Sequence, residues 1–317
     1  MKYILKSTLL FLVINYLYSC NGVKKRSVSA PTPYENEFEN QQPKILTFTF
    51  DSNTDTSFKT ETGTKIKFTK NQFNNKDGLP AQGLITFQFR EYHKISEMVF
   101  GKLSTLSDGK IIATDGMFYL NAINQTGDTL TLNPLKPLEI TTHKNDKDSG
   151  YYTFYNDKKI KDSFNWKKAG RVFVPEVWDT VSVESFLNKV MNVLTVVELG
   201  FVNCDKFINN SNNGEVITSI NTNTDADVPA YCTIVLKKYK SMVAANFDGE
   251  NFVFKNIPLN EEAVLVCVGK IENEYYLVVK EFITSNGLKL KETMIKKTKI
   301  DAENELKKLN NLHSESI

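Results

Sequence analysis

The sequence predicts a mainly β protein, built of antiparallel β-sandwich modules and closed by a C-terminal helix. Three observations predict it. Apolar and polar residues alternate over many short stretches, as at Leu46, Phe48 and Phe50 against Thr47 and Thr49, and a period of two marks a half-buried strand. Gly/Asp turn signals punctuate these stretches, such as Lys76-Asp77-Gly78, Ser107-Asp108-Gly109, Asp115-Gly116 and Thr126-Gly127-Asp128, which joins the strands by tight turns. A long helical spacing of apolar residues is confined to the charged stretch Leu288–Leu312.

The chain begins with Lys2 and Lys6, an apolar run from Leu9 to Leu17 broken by Asn15 and Tyr16, and no acid before Glu35. That is the layout of a secretory signal, and the run is shorter than the roughly 20 residues of a transmembrane helix. It ends in Leu17-Tyr18-Ser19-Cys20, which resembles the lipobox of bacterial lipoproteins. The resemblance implies that residues 1–19 are a signal peptide and that the Cys20 thiol carries a diacylglyceryl group. Each buried methylene contributes roughly 0.8 kcal/mol, so two or three acyl chains anchor durably where one does not. The alternative is an ordinary signal peptide with a chance cysteine. Residues 20–44 hold Pro31, Pro33 and Pro43 with many Asn, Gln, Ser and Glu, a composition that cannot bury enough apolar surface to order itself. They are expected to form a flexible tether, with Lys24, Lys25 and Arg26 either solvated or touching anionic headgroups at about 1 kcal/mol each.

Removal of residues 1–19 takes the formal net charge from +2 to zero, which argues against nucleic acid as a partner. Beyond Cys20 lie Cys204, Cys232 and Cys267. Cys232 and Cys267 can pair in an oxidising compartment, or all three can serve as small buried hydrophobes. No Cys-x-x-Cys occurs, which excludes zinc-ribbon and thioredoxin-like motifs.

Residues 45–143 carry the clearest strands. Ile66 and Phe68 repeat the alternation, and Ile85, Phe87 and Phe89 do so opposite Thr86, Gln88 and Arg90. Met98–Leu106, Met117–Ile123, Thr129–Leu132 and Leu138–Thr142 complete the series, in the manner of an antiparallel sandwich. The order Gly63-Thr64-Lys65-Ile66, Phe73, Gly83-Leu84-Ile85, Glu91, Leu106-Ser107-Asp108-Gly109-Lys110, Asp115-Gly116-Met117-Phe118, Gly127-Asp128 and Leu138-Glu139-Ile140 resembles the ZU5-like β-domain of Bacteroidetes envelope lipoproteins. Leu199-Gly200-Phe201-Val202-Asn203-Cys204-Asp205-Lys206-Phe207 resembles a stretch of the same proteins, with Phe201 in place of Trp and Lys206 in place of Arg. The resemblance spans about residues 57–283 and implies a module for protein contacts. The His-Phe-Ser triplet at which some ZU5 domains cleave themselves is missing, so autoproteolysis is not carried over.

Residues 144–227 are less legible. Lys144–Ser149 is a charged turn, Tyr151–Tyr155 a strand or aromatic hairpin, Val183–Met191 a short helix, Val193–Val202 a buried strand and Phe207–Asp227 a long loop. Residues 228–284 form a second small β unit, with strands at Cys232–Leu236, Met242–Phe247, Asn251–Phe254, Ala263–Val268 and Tyr275–Phe282. Phe252–Pro258 resembles the strand-turn of small transthyretin-like or carboxypeptidase-regulatory-like sandwiches. Residues 285–317 close the chain as a helix with an apolar stripe at Ala302, Leu306 and Leu309, and its expected place is docked on the body.

No catalytic constellation is legible. His93, His143 and His313 lie far apart and without metal-ligand spacing. The nucleophile elbow, P-loop and dinucleotide fingerprint are missing from the sequence. The expectation is a non-enzyme without cofactor or metal. Glu91 and Glu97 read as a solvated rim. Asp51-Ser52-Asn53-Thr54-Asp55 matches the first half of an EF-hand loop, but Thr56 and Thr62 stand where Gly and Glu belong. Asn221–Asp227 offers alternating oxygens without a frame. Both read more simply as turns. Tyr151, Tyr152, Tyr155 and Trp166 are a candidate aromatic contact face, near Phe154 and Trp178; the alternative is a packing cluster.

Three functional readings follow. The first is a non-catalytic envelope lipoprotein, held to the outer membrane through the lipid on Cys20, that presents β modules to an envelope protein. The second is a glycan-binding lipoprotein, and the third an enzyme of unrecognised type. Acidic residues soon after the cysteine commonly accompany surface export in Bacteroidetes, and the basic Asn21–Arg26 here favours the periplasmic face over the cell surface.

Overall fold

The computed structural model describes residues 28–29, 38–143, 150–156, 164–171, 191–224 and 228–313. Cys20, the signal segment, Trp178 and residues 183–190 of the expected helix lie outside them; Met191, its last residue, opens a strand instead. The protein is mainly β, with 58% strand. In chain order the first strands are β1 (Val28–Ser29), β2 (Leu46–Asp51), β3 (Thr56–Lys59), β4 (Lys65–Phe68), β5 (Phe73–Asn74) and β6 (Leu84–Tyr92), followed by helix α1 (Ile95–Phe100). Next come β7 (Leu106–Ser107), β8 (Lys110–Asn124), β9 (Thr131–Leu132), β10 (Leu138–His143), β11 (Tyr152–Asn156), β12 (Trp166–Arg171), β13 (Met191–Val196) and β14 (Gly200–Phe207). The C-terminal part holds β15 (Asn213–Thr222), β16 (Val228–Leu236), β17 (Ser241–Ala244), β18 (Asn246–Phe247), β19 (Phe252–Pro258), β20 (Glu262–Ile271), β21 (Glu274–Ile283), β22 (Leu288–Lys297) and helix α2 (Lys299–Lys307).

The N-terminal unit is two main antiparallel sheets face to face, with a separate two-stranded ladder of β5 and β9. A seven-stranded sheet runs β12-β11-β14-β8-β6-β2 with β7 beside β8, and a four-stranded sheet runs β13-β10-β4-β3. The alternation explains what lies between them. Ile85, Phe87 and Phe89 of β6 turn inward and are fully buried with Ile66, Phe68, Leu138, Ile140, Leu194 and Val196. Phe50, Phe68 and Phe87 make a ring cluster, with centroids 4.4 Å apart for Phe50–Phe68 and 4.9 Å for Phe68–Phe87. Residues 144–227 do not stand apart from the two β units. They supply β11, β12 and β14 to the larger sheet and β13 to the smaller one, and β15 to the C-terminal sheet.

That C-terminal sheet follows the path β1-β16-β20-β21-β22-β15-β19-β18, with β17 on β16, and is barrel-like and nearly closed. The expected small sandwich is realised as two halves joined through one strand. The last residues of β22 pair with β21 (Leu277↔Ile295), while its earlier residues run parallel to β15 (Val216↔Leu288). A strand that switches partners in this way turns a corner between two sheets. Inside lie Val216, Ile234, Leu236, Phe254, Leu265 and Val278. Cys232 and Cys267 face each other in register across β16 and β20 and form a disulfide, so of the two alternatives for this pair the structure selects the bond. Cys204 is buried in the N-terminal core.

A third apolar cluster holds the two units together. The outer side of β8 and the short helix α1, with Ile95, Met98 and Phe100, meet Val235, Met242, Val264, Val266 and Leu277 from the outer side of the C-terminal sheet. Backbone groups of Thr105 and Met242 pair across the junction at 2.7 Å.

Five expectations need correction. Met98–Leu106 is not a strand: Met98–Phe100 end helix α1, a turn follows, and Leu106 opens the short β7. Leu288–Leu312 is helical only in its second half. Leu288, Leu290 and Met294 alternate as a strand, and Thr298 then caps α2 by accepting the Asp301 N–H at 3.2 Å. The stripe Ala302, Leu306 and Leu309 does dock into the shared cluster. Val193–Val202 is not one strand but the end of β13, a turn and the start of β14. Phe207–Asp227 contains the ten-residue β15, whose Val216, Thr218 and Ile220 alternate inside an Asn/Ser/Thr-rich stretch. The tether of residues 20–44 is not free along its length: β1 pairs with β16, and Phe38 is buried against Phe100 and Tyr275.

Candidate functional site

The end of β6 reads Arg90-Glu91-Tyr92-His93. Successive strand residues point to opposite faces, so this one segment supplies two different polar sites. Arg90 and Tyr92 reach the outer face of the seven-stranded sheet, and Glu91 and His93 reach its inner side.

The outer site is a groove of about 400 Å³. Arg90 pairs with Tyr119 of β8, and Tyr119 pairs with Phe201 of β14, so the three side chains form one row across three neighbouring strands. Tyr119 and Phe201 lie with ring centroids 5.1 Å apart, and Phe164 meets Phe201 edge-on at 4.9 Å. These three rings are half-buried and make the floor. Ile45, 42% exposed, stands at the mouth. The rim is a linked set of polar side chains. Arg90 donates to Glu39 at 2.9 Å and to Gln42, Tyr92 donates its hydroxyl to Gln42 at 2.7 Å, and Gln42 donates to Glu39 at 2.9 Å. Burial pushes the Tyr92 phenol up, which keeps its proton in place to donate. A side chain at Gly101 would come within 3.2 Å of the Tyr92 ring, so the glycine preserves the wall. The next row outward is amide and hydroxyl: Gln88 accepts from Asn121 at 2.9 Å, with Thr47 opposite Gln88.

The inner site closes one end of the sandwich. The Glu91 carboxylate accepts from Thr64 at 2.7 Å, Thr62 at 2.8 Å and the His93 ring at 2.9 Å, all on Oε2. Burial works against its ionisation, yet the bonds from His93 and Thr64, aided by Thr60 and Thr62, outweigh it and hold the carboxyl below its ordinary range. The expected solvated rim is therefore wrong for Glu91, which is 7% exposed. Glu97 instead caps α1 by accepting the N–H groups of His93 and Lys94 at 3.0 Å. Gly116 sits at φ 150° beside the His93 ring, where a Cβ would come within 3.2 Å. Chemically, this cluster is a clamp: both threonine hydroxyls donate to the carboxylate, which ties the turn before β4 to the end of β6.

A second buried polar group lies on β8 and β14, where the ladder between the two strands carries a bulge, and on neighbouring β13. Asn203 accepts from Thr114 at 2.9 Å and donates to Asp205, and Asn192 donates to Asp115 at 2.6 Å. Burial, with the nearby Asp115, raises the Asp205 carboxyl well above its ordinary range.

The candidate contact face of Tyr151, Tyr152, Tyr155 and Trp166 is not an exposed row. Trp166 is fully buried and donates its indole N–H to the Ser104 carbonyl. Tyr151 is buried in the sandwich core. Tyr155 packs against the same core and accepts the Val197 N–H at 2.8 Å. Tyr152 carries the Lys168 ammonium over its ring at 3.3 Å. The packing alternative describes these residues. The EF-hand-like Asp51–Asp55 is a turn, with Asp51 accepting from the Asn53 N–H and Asp55 from the Lys70 N–H, both at 2.8 Å. Asp225 and Asp227 lie outside the described residues. Among the described residues no group of three or more His, Cys, Asp or Glu is placed to hold a metal ion. The groove residues Tyr92, Tyr119, Phe164 and Gln42 escape sequence reasoning. The signals were the outward set Thr86, Gln88 and Arg90 and the Phe201 position of the Leu199–Phe207 stretch.

No protein-family model matches the chain, and no curated protein matches it.

Proposed function

We propose that the chain is a lipid-anchored envelope protein whose β body is a non-catalytic contact module. The groove carries this reading: a half-exposed aromatic floor under a closed ring of polar side chains is built to hold something, since ligand sites combine apolar walls with a few placed polar groups. The lipobox-like Leu17–Cys20 and the basic start of the chain support an anchor at Cys20 in the outer membrane, on its periplasmic face. The pairing of Val28 with Val228 sharpens the geometry, because the chain from Cys20 to Val28 spans at most roughly 30 Å. The body is thus held against the bilayer rather than on a long leash. Two facing antiparallel sheets support a ZU5-like N-terminal unit, and the C-terminal sheet supports a transthyretin- or carboxypeptidase-regulatory-like one. The ZU5 resemblance makes an envelope protein the first partner. A glycan is the second reading, and the row of rings at Tyr119 and Phe201 favours it.

Detergent phase partitioning tests the anchor. Wild type is expected in the detergent phase with a diacylglyceryl group on Cys20 by mass spectrometry, and Cys20→Ala in the aqueous phase. Equal partitioning of the two would overturn the reading. Protease treatment of intact cells, beside a periplasmic marker, then places the body: protection until lysis is expected.

A further inference from the structure

We propose that the groove binds the ring of a neutral saccharide, an inference that rests on the reading of the body as a contact module. Charge is the first argument. Arg90 is the cation of the lining, and Glu39, whose carboxylate takes its guanidinium at 2.9 Å, balances it. A site whose charges cancel has no net attraction for an anion or a cation, and it selects a neutral ligand. The second argument is the kind of polar group. Arg90, Gln42, Glu39 and the Tyr92 hydroxyl interleave donors and acceptors on mostly planar side chains, a match for vicinal hydroxyls, each of which both donates and accepts. The third is the floor. The half-buried rings of Tyr119, Phe164 and Phe201 offer apolar surface below those groups. A pyranose has this same division, with C–H bonds gathered on its faces and hydroxyls around its edge.

Size and surroundings agree. A groove of about 400 Å³ falls in the range of small-molecule sites, roughly 300–1,000 Å³, and has room for one or two sugar units. Beyond Arg90 the outer face continues as Gln88, Asn121, Thr47, Thr86 and Thr49, a row of amides and hydroxyls along which further sugar units can run. Of the aromatic face expected at Tyr151–Trp166, Tyr151 and Tyr155 lie on the inner side of the sheet, while the buried Trp166 backs the groove, its ring 5.8 Å from that of Phe164.

Saturation-transfer NMR on the detergent-solubilised full chain tests this. The probes are glucose, galactose, mannose, N-acetylglucosamine and their β-linked disaccharides, with glucuronate as an anionic comparison. At least one neutral sugar is expected to receive saturation, strongest at the C–H protons of one ring face. Tyr119→Ala and Phe201→Ala should each weaken its affinity at least tenfold, and Phe201→Trp should retain it. Thermal melts check that the variants fold. Ile45→Arg, at an exposed position, fills the mouth and should lower affinity without touching the core. Absence of transfer to every neutral sugar, or affinity unchanged in folded Tyr119→Ala and Ile45→Arg, overturns the proposal. A photo-crosslink from position 119 to an envelope protein, with no sugar bound, would overturn the saccharide and leave the contact module standing. Aqueous partitioning of wild type would instead remove the anchor and leave the saccharide site untouched.

Discussion

The N-terminal sandwich fills its interior with rings, Phe50, Phe68, Phe73, Phe87, Phe89 and Phe118 among them, whereas the C-terminal sheet encloses mostly Val, Ile, Leu and Ala around the Cys232–Cys267 bond. The two interiors also end differently. The sandwich is closed by the Glu91 clamp, and the barrel-like sheet by the corner strand β22. The difference teaches where each unit is vulnerable. A ring buries 150–250 Å² in one side chain, so the sandwich concentrates its stability in a few positions. The other unit spreads its packing over small side chains and adds one covalent link between neighbouring strands.

The sharpest way to break the comparison is to remove one ring. Phe68 is fully buried and contacts Phe50, Phe58, Phe73 and Phe87. Phe68→Ala is expected to cost about 3–5 kcal/mol by lost transfer energy plus an unfilled cavity, read from urea unfolding. A cost below about 1 kcal/mol would mean that the ring cluster does not hold the sandwich. The matching cut in the other unit is the double variant Cys232→Ala, Cys267→Ala. The bond closes a loop with a sequence separation of 35, for which the chain-entropy account gives about 3–4 kcal/mol. Wild type in reductant should move toward the double variant, and the double variant should ignore reductant. A wild-type unfolding midpoint indifferent to reductant would contradict the disulfide.

What the sequence made legible follows the same contrast. The strands of the ring-filled core announce themselves, because Leu46/Phe48/Phe50 and Ile85/Phe87/Phe89 alternate large apolar with polar residues. β15 hides because small polar residues surround Val216, Thr218 and Ile220, and composition outweighed period. β22 hides because Leu288, Leu290 and Met294 alternate just before a true helical stripe, and Thr298 with Asp301 marks the boundary between the two patterns. The groove was legible only in fragments. Arg90 faced outward by alternation, but its neighbours Tyr119 and Phe201 depend on the register of three strands, and Gln42 and Glu39 come from a segment whose composition argued for disorder. Phe38, buried against Phe100 and Tyr275, is what seats it.

The smallest expected effect asks what closes the sandwich, and it is read through pH. Glu91 is held below the ordinary carboxylate range by its hydrogen bonds. Its contribution is therefore present above that range and is lost as pH falls through the lowered folded value. Glu91→Gln removes the charged acceptor of Thr62, Thr64 and His93, for about 2 kcal/mol at neutral pH, and should flatten the acid limb of the stability curve. Asp205 has the opposite sign. Burial raises its folded carboxyl well above the ordinary range, so its contribution is fully present below that range and is lost as pH rises, because the unfolded chain ionises while the folded one resists. Asp205→Asn can still accept from Asn203 by turning its amide, and it carries no proton to lose. It should change stability little in acid and raise it at neutral pH and above. Urea midpoints of the two variants across pH check both signs. Parallel curves for wild type and Glu91→Gln would show that the clamp is not ionised, and the closing of the sandwich would then rest on its rings alone.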